Sequence, residues 1–171
     1  MSKNLAQKTR KTGIIASALM IPLVFMIFSP SMITSHATTP TLVTGVATAT
    51  DQVTTVIGAS GNFLYLEVTS VLTYTGGLVG SGPAVAFATI DTSTGMLVFA
   101  EQSTFTGTVM GSQTGTVTVL TTGTGTLGGS SQAQVVLIHG AGGLAGLHGE
   151  GSITSSGLTT SYSIRVHFDP S

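Results

Sequence analysis

The sequence predicts an all-β fold, a small antiparallel barrel of eight strands that follows an N-terminal export segment. Two observations on the chain predict it. After residue 37, apolar side chains alternate with small or polar ones, in a composition rich in threonine and glycine. The segment Thr73–Ser81 recurs as Thr104–Ser112, 31 residues later, and a looser third copy covers Gly140–Gly151. Each copy predicts a hairpin between short strands, and a two-sheet β-sandwich is the alternative architecture.

Turn sequences separate the predicted strands. Gly58–Asn62 and Asp91–Gly95 are rich in turn residues, and Gly123–Gln132 is predicted to be the longest low-complexity loop. The last predicted segment is a hairpin that breaks at Ser156 and Gly157. About eight strands are what a small antiparallel barrel needs, and its interior holds side chains or one small ligand. The predicted strands cover 41–50, 52–58, 62–75, 83–91, 95–108, 113–123, 132–139 and 150–168.

The N-terminal segment predicts export. Four of the five basic residues lie within residues 1–12, ahead of the apolar run Gly13–Phe28. Together with the small residues that end at Ala37, this pattern predicts a signal peptide over 1–37. The alternative is an uncleaved membrane anchor, in which residues 13–33 are the membrane-contacting part. In both cases we expect the domain 38–171 to be extracytoplasmic, either secreted or at the cell surface.

The charge of the exported part limits its partners. Arg165 is its one cation against six carboxylates, which gives a formal net charge of −5. A single cation cannot neutralise a phosphate backbone, so we expect no nucleic-acid partner. Adsorption to an anionic lipid surface is disfavoured for the same reason. The chain contains no cysteine, so the domain must be held together by packing and sheet hydrogen bonds without disulfides.

Side-chain parity predicts which residues line the barrel. Glu101 shares one strand face with a phenylalanine on each side, and a carboxylate among apolar groups has a raised pKa and can donate or accept a proton. Its alternative role is structural, either at the barrel mouth or paired with Arg165 or a tyrosine hydroxyl. The candidate ligand-cavity residues are Tyr65, Glu67, Phe99, Glu101, Phe105 and Tyr162.

The histidines and glycines predict neither a metal site nor a cofactor. His139, His148 and His167 fall on separate predicted elements with no short-spaced pair, whereas zinc needs three or four convergent ligands. The glycines of 140–151 have the spacing of a phosphate-binding loop, but no predicted helix follows them. We therefore expect these glycines to serve tight turns and close strand packing.

Two segments together resemble a known family. Phe105–Val117, followed later by Gly140–Gly151, is similar to a bacterial and archaeal family of domains of unknown function, through a strand pair and the pattern Gly-x-Gly-x-(Leu/Phe)-x-Gly-x-x-Gly. That family is assigned to the allene-oxide-cyclase-like barrel superfamily, which plant dirigent proteins also resemble. The resemblance covers residues 62–168 and implies an eight-stranded barrel with a cavity, assembled as a homo-oligomer. The family usually has arginine at the position of His148, and no catalytic residue is carried over.

Three functions are consistent with these features. The first is binding of a small, mainly apolar molecule in the barrel cavity. The second is a cofactor-free isomerase or cyclase that uses Glu101 as acid and base beside Tyr65 or Tyr162. The third is a structural cell-surface protein with a filled barrel. A cavity open to solvent distinguishes the first two functions from the third.

Overall fold

Eight antiparallel strands form a closed barrel. The computed structural model describes residues 39–169, in which there is no helix, and so none that could cross a membrane. Each strand pairs with the next one, and the first strand also pairs with the last, which closes the ring. The predicted barrel is confirmed, and the sandwich alternative is wrong. The strands are β1 Thr41–Ser60, β2 Phe63–Gly76, β3 Leu78–Asp91, β4 Met96–Val109, β5 Gly115–Thr126, β6 Ser130–Gly142, β7 Leu147–Ser156 and β8 Thr159–Phe168. The predicted signal or anchor over 1–37 lies outside the described residues.

Strand β1 is one long strand where the sequence predicts two. Asp51 has a φ of 52°, and the register between β1 and β2 shifts between Thr50 and Val53. A β-bulge, and not a turn, therefore joins the segments 41–50 and 52–58. Residues 41–48 pair with β8, and residues 45–48 pair with β2 as well, whereas the residues after the bulge pair with β2 alone. The far half of β1 thus extends one side of the barrel beyond the closed ring.

The predicted loop over Gly123–Gln132 is wrong, because β5 and β6 occupy most of it. Gly123 pairs with Ala133 and Gly125 pairs with Ser131, which leaves a turn of only residues 127–129. A Cβ on Gly123 would lie 2.8 Å from the Cα of Ala133, so glycine permits a close approach of the two strands here. The composition suggested a loop, whereas the alternation of threonine and glycine is that of a strand.

The two copies of the glycine repeat have different structures. The first copy contains the β2–β3 bend, where Gly76 has a φ of 102°. The second copy follows β4 to Val109 and then contains the β4–β5 turn, where Met110 and Gly111 have positive φ, so the predicted hairpin is present there too, with its turn later in the copy. Gly80 of the first copy pairs with Gly107 of the second, and a Cβ on either glycine would lie within 3.0 Å of the Phe105 ring. The repeat therefore builds a slot for that ring.

The hydrophobic core fills one end of the barrel only. Phe105 is fully buried there, and the Tyr74 ring meets it edge-on with a centroid separation of 5.2 Å. The turn between β6 and β7 contributes the fully buried Leu144, which closes this end. The β5–β6 and β7–β8 turns lie at the opposite end, where the interior remains open. The other fully buried large side chains include Leu78, Leu137, Leu147 and Val109.

Candidate functional site

The open end of the barrel leads into two adjoining cavities. The outer one, which we call the mouth cavity, has a volume of about 400 Å³ and is bounded by β1–β4 and by the β5–β6 and β7–β8 turns. The deeper one, the inner chamber, has a volume of about 80 Å³ and reaches down to the core. Five residues line both cavities and so define a neck between them: Leu72, Phe99, Glu101, Ser155 and Thr160.

Glu101 is the charged residue of the neck. Its cross-strand neighbours are Ala86 on β3 and Thr121 on β5, both small or uncharged. Among the described residues, none forms a hydrogen bond or an ion pair with its carboxyl group. Burial raises the pKa of the Glu101 carboxyl, because removal from water disfavours the charged form. The site therefore contains a carboxyl group without a protein partner, facing the two cavities.

Buried neutral hydroxyl groups lie on the same strand as Glu101 and on other strands of the barrel. The Tyr74 hydroxyl lies 3.5 Å from the Ser103 Oγ, and both side chains are buried. Burial, assisted by the charge of Glu101, raises the pKa of Tyr74 to about 12, so this phenol stays protonated near neutral pH. Thr121 is also buried, directly opposite Glu101. Sequence reasoning did not include Tyr74, Ser103 or Thr121 in the site, although Ser103 shares the strand face of Glu101.

Tyr162 lies in the inner chamber, but its hydroxyl group is used by the backbone. It accepts a hydrogen bond from the Leu78 N–H at 2.9 Å and donates one to the Thr75 carbonyl at 2.9 Å. Burial raises the pKa of this phenol, which keeps it in the donating form. The hydroxyl therefore ties β8 to the β2–β3 bend and is not free to assist Glu101 in proton transfer.

Tyr65 and Glu67 lie outside the barrel, which corrects their assignment to the cavity. Leu72 and Tyr74 face inward, so the odd-numbered residues of β2 face outward. Tyr65 is accordingly 36% exposed. Parity alone could not orient β2 because both of its faces are apolar, one with Phe63, Tyr65 and Val71 and the other with Leu64, Leu66, Val68 and Leu72.

The other four predicted cavity residues lie inside the barrel at different depths. Phe99 and Glu101 are at the neck, and Tyr162 lines the inner chamber. Phe105 is fully buried in the core and lines neither cavity, so its role is packing. Of the six predicted residues, the structure therefore brings three together around one cavity. Their role in binding a ligand stays a prediction.

A groove of about 630 Å³ lies on the outer face of β3–β5. Its apolar walls are Pro83, Val85, Phe87 and Leu120, and Phe87 is 53% exposed. The groove is more open to solvent than the inner chamber. It is a second apolar surface, so a test of the interior site has to distinguish binding inside the barrel from binding in this groove.

Two histidines that the sequence placed on unrelated elements are neighbours on the outer surface. His148 and His167 are cross-strand partners whose rings stack at 5.7 Å. Asp169 lies 3.0 Å from the Nε2 of His148 and 3.8 Å from that of His167. Within residues 39–169, no three His, Cys, Asp or Glu side chains are grouped in a geometry that could hold a metal ion.

Comparisons with known proteins support the fold and leave the function open. No protein-family model matches this chain, and no curated protein does. It is similar in structure to a protein of unknown function from the DUF3224 family of Shewanella oneidensis MR-1, with a TM-score of 0.66 and 19% sequence identity. The similarity covers 78% of this chain and 100% of that one. The two proteins share the eight-stranded antiparallel fold, and at this identity nothing beyond the fold follows.

Proposed function

We propose that this protein binds a small, mainly apolar molecule in the mouth cavity and inner chamber of its barrel. The observation that carries the proposal is that the two cavities adjoin at a neck with one unpartnered carboxyl group, that of Glu101. Ligand pockets combine an apolar lining with a few polar groups that orient the ligand. The neck has this composition, because the apolar Leu72 and Phe99 line it together with Glu101.

The sizes of the cavities limit the ligand. The mouth cavity, about 400 Å³, falls within the range of roughly 300–1,000 Å³ that is typical of small-molecule sites. The inner chamber, about 80 Å³, admits only a narrow apolar end of a ligand. A filled barrel with a purely structural role would need neither an open end nor a carboxyl group at its neck.

Catalysis is the second candidate function, and the raised pKa of Glu101 is the observation that favours it. An isomerase or cyclase would use Glu101 to move a proton while a second polar group holds the substrate. Tyr65 is outside the barrel and the Tyr162 hydroxyl is bound to the backbone, so neither predicted partner is free to act. Binding without turnover is therefore the function that we propose first.

A pair of matched substitutions tests where an apolar molecule binds. Ala86 faces Glu101 inside the barrel, whereas Ala100 is the exposed cross-strand partner of Phe87 in the outer groove. We expect Ala86→Phe to fill the space beside Glu101 and to weaken binding of the neutral fluorescent dye Nile red at least tenfold, about 1.4 kcal/mol. Ala100→Phe should leave the affinity unchanged. Fluorescence titration of both variants and the wild type measures the effect.

The opposite pattern would contradict the proposal. If Ala100→Phe weakens dye binding and Ala86→Phe does not, the outer groove binds apolar molecules and the interior does not. If the wild-type protein does not bind the dye at all, the interior is not a site for apolar molecules.

The proposal also includes an extracytoplasmic location and self-association. The basic segment and apolar run in residues 1–28 support export. The outer groove supports a second copy of this chain as partner, because self-association there would bury the exposed apolar side chains of Val85 and Phe87. Kinship with the allene-oxide-cyclase-like barrels is likewise proposed, and the shared fold supports it.

A further inference from the structure

Building on the proposed binding function, we infer that the ligand carries a cationic group, a protonated amine, which forms an ion pair with Glu101 at the neck. A carboxylic acid of the same shape is excluded. The inference names the chemical class of ligand that the site accepts. It follows from the charges, the hydroxyl groups and the aromatic rings around the neck.

The neck has a negative group and no positive one. No lysine, arginine or histidine is among the described residues that line the two cavities. Arg165, the one cation of residues 39–169, is on the outer face of β8, opposite Glu150. The Glu101 carboxylate can therefore be neutralised by a cation only if the ligand brings it. A buried charge without a partner is costly, so a ligand that supplies one has a large advantage over a neutral ligand of equal shape.

The neighbouring groups also suit an ammonium group. An alkylammonium group has three N–H donors, and Glu101 can accept from one of them. The hydroxyl oxygens of Thr121 and Tyr74, both in the inner chamber, are acceptors for the others. The ring of Phe99 lies at the neck, and an aromatic face attracts a cation. The apolar part of the amine would then lie against the aliphatic walls of the inner chamber or in the mouth cavity.

An anionic ligand is repelled at the neck. Its carboxylate would face Glu101 at short range without any basic side chain in the cavities to offset the repulsion. The net charge of −5 adds a long-range field that lowers the local concentration of anions and raises that of cations. Fatty acids and similar molecules are therefore poor ligands, although their chains fit the apolar lining.

The ionisation of Glu101 determines how the binding of a cation depends on pH. Burial raises the pKa of Glu101 in the free protein, and an ammonium group next to it favours the ionised form. The affinity for an amine should therefore be full above that raised pKa and should fall as the pH drops through it. The other titratable groups that line the cavities are Tyr74 on β2 and Tyr162 on β8, and the raised pKa of each keeps it neutral in this range.

Three probes of equal chain length test the inference: hexylammonium, 1-hexanol and hexanoate. We expect the wild-type protein near neutral pH to bind hexylammonium at least tenfold more tightly than the other two, measured by displacement of Nile red. Glu101→Gln, which keeps the shape and removes the charge, should abolish this preference. Glu67→Gln makes the same change on the outer face of β2 and should leave the preference intact.

Each alternative outcome has one meaning. If hexanol or hexanoate binds as tightly as hexylammonium while Nile red still binds inside the barrel, the proposed function stands and the inference is wrong. The inference is also wrong if Glu101→Gln keeps the preference, or if the affinity of the wild-type protein for hexylammonium does not fall with decreasing pH. If neither Nile red nor any of the three probes binds, both the inference and the proposed function are wrong.

Discussion

We expect Phe105→Ala to lower the free energy of unfolding by about 3–5 kcal/mol, the largest effect of any single substitution discussed for this protein. The Phe105 ring is fully buried, contacts Tyr74 edge-on, and lies in the slot between Gly80 and Gly107. Its removal leaves a cavity that this slot cannot close, because the glycines have no side chains to move into it. Urea denaturation followed by circular dichroism measures the change.

The control for this prediction is Thr116→Ala on the adjacent strand β5. Thr116 is exposed, and its cross-strand partner Thr106 is exposed as well. Its truncation should change the free energy of unfolding by less than about 1 kcal/mol. Equal costs for the two variants would mean that the inward and outward faces of β4 and β5 have been assigned incorrectly.

The second large effect concerns Gly45 of β1. A Cβ at this position would overlap the Thr75 carbonyl oxygen and the Tyr162 hydroxyl oxygen, and it would lie 2.5 Å from the Tyr162 ring. Two backbone groups hold that hydroxyl in place. The ring cannot move aside without leaving the Leu78 N–H unsatisfied. We therefore expect Gly45→Ala to lower the free energy of unfolding by about 1–3 kcal/mol.

Two further variants check the physical reason. Gly58→Ala lies in the same strand, but its Cβ would meet only the Tyr65 ring at an ordinary 3.4 Å, so it should be neutral or slightly stabilising. In the double variant Gly45→Ala, Tyr162→Phe, the Tyr162 hydroxyl no longer opposes the Cβ, whereas the Thr75 carbonyl oxygen still does. The loss of stability should therefore be smaller than the sum of the two single losses, but larger than that of Tyr162→Phe alone. Strict additivity would show that the Tyr162 hydroxyl does not contribute to the requirement for glycine at position 45, and that the Thr75 carbonyl oxygen is the obstacle.

The sequence predicted the fold where only one face of a strand could be buried. Around Phe105 on β4, the residues of the opposite face are the polar Gln102, Thr104 and Thr106, so the parity of this part of the strand is clear. On β2 both faces are apolar, and Tyr65 was consequently assigned to the wrong side. In β1 the positive φ of Asp51 interrupts the alternation within a continuous strand, which made one strand look like two.

The site could be predicted only in part, because its remaining members depend on register. Glu101 was identified from its own strand, whereas the inward position of Tyr74 depends on how β2, β3 and β4 pair. The engagement of the Tyr162 hydroxyl with Leu78, which is 84 residues away in the chain, depends on the closure of the ring. Neither fact has a signal in local periodicity, which describes one strand at a time.

The central claim of this account is that Glu101 lies in an interior cavity that accepts a small cation. The most direct test is an NMR titration of the ¹³C-labelled carboxyl group of Glu101, without and with hexylammonium. We expect a pKa above the ordinary value for glutamate in the free protein, because burial disfavours the charge, and a lower pKa when hexylammonium is present. An ordinary pKa that hexylammonium does not change would place Glu101 in bulk solvent and would contradict the account.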